Sequence, residues 1–318
     1  MTLLGTLRKV ARSLLVVLLV TFMVVALLSL APGSVATVIL GPAATPESVA
    51  ALNEELGLND SVFVQYWDWL TNALHGDLGT SLLTDLPVTE TIWERLPVTL
   101  ELALLAQVIA LGIAVPLAIA AAARPGSVVD RFTSAISSAS LSIPAFVAAP
   151  ILVYFLALQL DLFPVSGWND LSEGIGPNLE SALLPAFAIA LAEIAAFQRL
   201  LRTDLVSTLR EDYIAAARAK GMSPTFVMLR HALRPSSFSL ITLLAISTGR
   251  LLGGTVIVET LFSLPGLGSL VVNSITSRDV VVVQGVVAFI AVVYVALNTA
   301  VDVGYGLLDP RVRKEARA

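Results

Sequence analysis

The residues able to make or break bonds are few. Histidine occurs twice, at His75 and His231, and cysteine not at all. That excludes a thiolate nucleophile, a disulfide framework and the usual metal sites, so no metal ligands are assigned. An intramembrane Ser–His site needs both partners within apolar stretches, and both histidines lie outside them. No G-x-x-x-x-G-K-[ST] string is present, so the chain cannot bind ATP in the P-loop manner. What remains is isolated polarity in apolar surroundings: Glu193, Arg250, Glu259, Asn298 and Asp302. A charge at mid-bilayer costs at least about 2.5 kcal/mol, so such groups face protein or water. Three readings of Arg250 stay open: it pairs with Glu193, it meets a substrate carboxylate, or it snorkels within a helix bundle.

The elements that must hold these residues follow from composition. Of 318 residues, 56% are hydrophobic and 14% charged, and the mean hydropathy is +0.86. A soluble domain carries roughly a quarter charged residues. An ordinary cytosolic enzyme, a nucleic-acid binder and a disordered chain are excluded, and a bilayer is the natural solvent. Charge-poor stretches predict an all-α, polytopic membrane protein with six transmembrane helices, in one transmembrane domain over residues 1–318. The spans fall at about 10–31, 99–123, 132–160, 180–201, 236–262 and 280–305, with an outer loop at 32–96 and a cytoplasmic loop at 202–235. The ends and the even-numbered links hold 16 of the 19 basic residues. The positive-inside rule therefore places both termini and those links in the cytoplasm. The first apolar run follows three basic residues, as in a signal peptide, but its length of about 19 residues exceeds a signal core and fits a span.

The 32–96 segment is acidic, with nine carboxylates against Arg95. Thr45-Pro46-Glu47 predicts a helix start and Gly57 a stop. Phe63 to Leu74, with Tyr66, Trp67 and Trp69, predicts an interfacial helix rather than a ligand box. No loop has EF-hand spacing, and no internal repeat or filter sequence supports a standalone secondary transporter or channel. Ser134, Ser137, Ser138 and Ser142 share a helix face, as do Gln284, Asn298 and Asp302. They line a hydrated cavity or bond between helices, and interhelical bonding is the simpler reading for the serines. Gly249 and Gly253 read as a close-packing pair.

The 202–235 loop is too patterned for a passive turn. Asp212 suits the first turn of a helix, and Tyr213 to Lys220 is alanine-rich. Gly221 fits the left-handed position after a helix end, and Ser223-Pro224 reads as the N-cap and first residue of a second short helix ending near Leu233. Pro235 then opens the fifth span. Ala215, Ala216 and Ala217 leave a bare surface that another protein can approach, or the helix lies on anionic lipid through Arg218, Lys220 and Arg230.

This loop resembles the EAA loop of bacterial ABC importer permeases, in which Glu-Ala-Ala is followed after three residues by Gly. Ala216, Ala217 and Gly221 match; the family's Glu falls on Ala215, and Arg234 stands where Pro is common. The strings LAPGSVATVILGP, HGDLGTSLLTDLPVTETIWERLPVTLELALLA, DYIAAARAKG, LLGGTVIVETLFSLPGLGSLV and VVQGVV with LLDPRVR, in this order, are similar to the B-type permease subunits of dipeptide, oligopeptide and nickel importers. The resemblance implies a type I ABC importer permease fold whose cytoplasmic coupling helix comprises Asp212, Tyr213, Ala215, Ala216, Ala217, Arg218, Lys220 and Gly221. It also implies half of a translocation pathway for peptides, in a multi-pass protein of the bacterial inner membrane. The implied partners are a second permease subunit of the C type, two ATP-binding subunits, an extracytoplasmic substrate-binding protein and membrane lipid, with no nucleic acid. This non-catalytic chain binds no cofactor; ATP and Mg are used by the partner subunits. Nickel chelate, haem and oligosaccharide are the alternative cargoes.

Overall fold

Charge-free apolar runs have no water with which to satisfy their backbone, so they close it internally as helices. The computed structural model describes residues 3–30 and 35–308, with side chains described for 11–30 and 35–300. The side chains of Arg8, Lys9 and Asp302 and the basic tail from Arg311 lie outside what is described. The order is α1 (Leu3–Leu30), α2 (Val35–Leu40), α3 (Pro46–Glu55), α4 (Val62–Leu74), α5 (Val88–Ala123), α6 (Val128–Ser142), α7 (Ala145–Gln159), α8 (Ile175–Thr208), α9 (Asp212–Ala219), α10 (Pro224–Gly254), α11 (Val256–Leu261), α12 (Leu267–Thr276) and α13 (Val280–Leu308). Among the described residues five helices are long and apolar enough to cross a bilayer, and six if the bent pair α6–α7 counts as one span.

That pair corrects the straight span expected over 132–160. α6 and α7 meet at 107°. Pro144 disfavours helical backbone at the residue before it, and Ile143 is accordingly extended (φ −100°, ψ 111°). A second correction concerns the fifth span. It does not begin near Pro235 and run to 262. α10 is continuous from Pro224 to Gly254, and α11 and α12 follow as separate short helices. α8 likewise extends to Thr208, so the link expected over 202–235 shrinks to the turns on either side of α9.

The chain divides into two compact units, residues 1–99 with 265–318 and residues 100–264. In the first, α1 packs on α13 and α4, and α12 packs on α13. Phe22 meets Phe63 and Tyr66, whose hydroxyl donates to the Leu18 carbonyl at 3.1 Å. α3 begins with a capping box between Thr45 and Ser48, and Gly57 takes φ +66° after it. The core of this unit gathers Val88, Ile92, Leu267, Val282 and Val286. A clasp holds the 77–88 segment there. The Ser81 hydroxyl donates to Asp279 Oδ2 at 2.5 Å, while Asp279 Oδ1 accepts from the Val282 N–H at 3.3 Å and so caps α13. Gly79 (φ +93°) and Gly285 lie so close to Val281 and Val88 that an added Cβ would meet either valine at 2.6 Å.

In the second unit α8 is the hub, with α6, α7, α10 and α11 packed on it. Its buried residues include small ones, Ala182, Ala186, Ala190 and Ala195, and small residues let helix backbones approach closely where no water drives association. The expected Gly249–Gly253 packing pair does not form as a unit: Gly249 is buried, but Gly253, near the helix end, is exposed.

Candidate functional site

α9 is a two-turn helix held between two long ones. Asp212 sits in its first turn and Arg218 in its last, each favourable to the helix dipole. It ends in a Schellman motif: the Gly221 N–H donates to the Arg218 carbonyl at 3.0 Å and the Met222 N–H to the Ala217 carbonyl at 3.3 Å. This geometry needs a left-handed residue, and Gly221 has φ +77°. Ser223 then caps α10, accepting from the Phe226 N–H at 3.3 Å, with Pro224 as the first helical residue. The elbow is thus built from four consecutive residues.

Only part of the expected alanine surface is open. Ala215 and Ala216 are exposed, as are Asp212, Arg218, Lys220 and Gly221, whereas Ala217 is buried. Ala217 follows Ile214, also buried, by three residues, so the two share the inward face against the start of α10. Tyr213 is half-exposed and ties the two helices together. Pro235 lacks the N–H that would take the carbonyl four residues earlier, which belongs to His231. α10 widens to π-helix over Val227–Ala232 at this place. The Tyr213 hydroxyl donates to the His231 carbonyl at 3.3 Å, filling the acceptor. Burial first, and then the Glu211 carboxylate, raise the Tyr213 phenol above its ordinary range, which keeps it a donor.

Two charged residues within the helices of the second unit, Glu193 and Arg250, are paired. Glu193 on α8 is 2% exposed, and its Oε1 accepts from Arg250 Nη2 at 2.5 Å. The pairing reading of these two residues is the one the structure adopts. Glu193 Oε2 is buried and has no partner. Glu259 on α11 is completely buried and accepts from the Thr255 hydroxyl at 2.7 Å. Of the four serines expected to share a face of α6, only Ser137 is buried, donating to Gln198 Oε1 at 2.7 Å, which is the interhelical bond. In the first unit Gln284 is buried while Asn298 is half-exposed, so the two occupy different environments. Sequence reading missed a further pair. Asp130, 4% exposed at the start of α6, receives both Nε and Nη2 of Arg202 on α8, the latter at 2.7 Å, and the Gly126 N–H at 2.7 Å. The available signal was Asp130 as the one acid in an otherwise basic link.

Known proteins align with the chain over almost all of its length. Residues 114–314 match the family described as binding-protein-dependent transport system inner membrane component, and residues 3–103 match the N-terminal part of such membrane components. The chain belongs to this family. A probable peptide ABC transporter permease protein of Sinorhizobium fredii is 38% identical over 307 residues, 96% of this chain and 98% of that protein. An oligopeptide transport system permease protein of Bacillus subtilis is 35% identical over 96% of this chain and 98% of its own length. A nickel import system permease protein of Staphylococcus aureus is 34% identical over 96% and 90% respectively. The protein is therefore an all-α, multi-pass membrane protein and the membrane subunit of an ABC importer. Permeases of this family are transport components that work in a complex with ATPase and other subunits.

Proposed function

We propose that this chain forms half of a translocation pathway for peptides, works as one permease domain over residues 1–318, and takes its driving force through α9. The observation that carries this reading is α9 itself. It is a short helix outside the long ones, fixed at its C-terminal end by the Gly221 elbow and near its N-terminal end by the Tyr213–His231 bond, with a face of Ala215 and Ala216 open to a partner. In this reading two ATP-binding subunits use ATP and Mg, and this chain binds neither and catalyses nothing. A second, C-type permease subunit completes the pathway, and an extracytoplasmic binding protein delivers the cargo. The distribution of basic residues supports a cytoplasmic position, in a bacterial cell, for both termini and α9. Rigid helices with two packings can pass a push on α9 to the spans.

The absence of native cysteine makes the reading directly testable. Single substitutions Ala216→Cys and Ile214→Cys are compared for cross-linking in the assembled complex. Ala216→Cys cross-links to an ATPase subunit and the buried Ile214→Cys does not; a cross-link at neither position ends the coupling reading. For the cargo, peptide uptake is measured in proteoliposomes with the binding protein present. A second reading is supported by the name of the nickel import relative: a chelated nickel ion as cargo. Uptake of radiolabelled nickel without peptide uptake would select it.

A further inference from the structure

We infer that Arg250, tethered from behind by Glu193, captures the terminal carboxylate of the transported peptide. This deepens the peptide reading above and rests on it. The two partners have opposite exposures. Glu193 is buried in α8 to within 3% of its side-chain surface, while the Arg250 side chain is 61% exposed. Glu193 engages one Nη of Arg250, and a guanidinium carries five N–H donors. The remaining donors lie on the open side. Among the described residues Glu193 is the one ionic partner of Arg250.

The surroundings identify what the open side faces. Ile246, Arg250 and Gly253 follow one another at spacings of four and three along α10, and all three are exposed. A guanidinium in the middle of such a face is incompatible with hydrocarbon, so this face of α10 meets water, cargo or a neighbouring subunit. Here the acid holds the base in place and leaves its fork outward. Planar, bidentate capture of a carboxylate is the recognition that such a fork suits, and lysine does not reproduce it. An arriving carboxylate shares Arg250 with Glu193 without stripping the buried acid of its partner, which would be costly.

The experiment uses the assembled importer with its binding protein in proteoliposomes. Uptake of one peptide with a free C-terminus is compared with uptake of the same peptide amidated, for the unaltered chain and for Arg250→Gln and Arg250→Lys. The binding protein is common to all arms, so a change in the acid-to-amide ratio reads Arg250 alone. The expected result is a fall in that ratio of about tenfold for Arg250→Gln, with only partial retention in Arg250→Lys. An unchanged ratio in both variants overturns the inference and leaves peptide transport standing. Dissociation of Arg250→Gln complexes, with an unchanged ratio in assembled Arg250→Lys, overturns it in favour of an acid on the neighbouring permease. Failure of the unaltered importer to move either peptide overturns the peptide reading, and this inference with it.

Discussion

Two links in this chain turn on glycine for different physical reasons. In the 77–88 segment Gly79 has both a left-handed backbone and a valine pressed against it, and Gly285 on the adjoining helix has close contacts, with Val88 and Leu78, on an ordinary helical backbone. At the elbow after α9, Gly221 has the left-handed backbone and nothing within 4 Å of where a Cβ would stand. The first region is fixed by packing and by a buried carboxylate, Asp279. The second is fixed by backbone geometry and a single side-chain bond, with its outer face left clear. A packed clasp and, on the proposed coupling role, a helix that meets another protein call for these opposite constructions.

The contrast can be broken at either region. Gly285→Leu should have the largest effect, because its side chain collides with Val88 and with the Leu78 side chain; the loss is about 3 kcal/mol, read as a lower thermal midpoint in detergent. Asp279→Ala comes next. It strands the buried Ser81 hydroxyl and uncaps α13, at about 2 kcal/mol by the same measurement. Gly221→Ala meets no neighbour, so only the backbone objects, by about 1 kcal/mol. Its signature is functional: ATP hydrolysis persists while uptake falls. A midpoint drop as large as that of Gly285→Leu would show that the elbow is packed after all. Tyr213→Phe is the mildest, at about 0.5–1 kcal/mol. It sharpens the comparison, since a measurable loss of coupling there would mean that one hydroxyl helps to hold α9 on α10.

Much of this architecture was legible before any coordinates. Five or six spans follow from where charge is missing, and the elbow follows from Gly221, Ser223 and Pro224, whose backbone preferences are local. Glu193 and Arg250 suggested each other because two lone charges in apolar helices have few other ways to be satisfied. What failed was non-local or ambiguous. Pro235 looked like the start of a span, but a helix can carry a proline when it widens nearby and a tyrosine serves the orphaned carbonyl. Pro144 lies inside a charge-free run, so the absence of charge gives no sign of the sharp bend there. Ala217 was counted as surface because composition alone does not say which face of a two-turn helix turns inward. Asp130 and Arg202 are 72 residues apart, and no local pattern joins them.

The unbroken course of α10 has a mechanical consequence. Its 31 residues make a strut about 46 Å long, rooted beside the elbow at Pro224 and carrying Arg250 four residues from its far tip. Tilting such a strut by about 5° at its root sweeps that tip sideways by about 4 Å, comparable to the distance over which a guanidinium gains or loses its grip on a carboxylate. On the proposed roles of α9 and Arg250, a small shove at one end is turned into a catch-and-release stroke at the other.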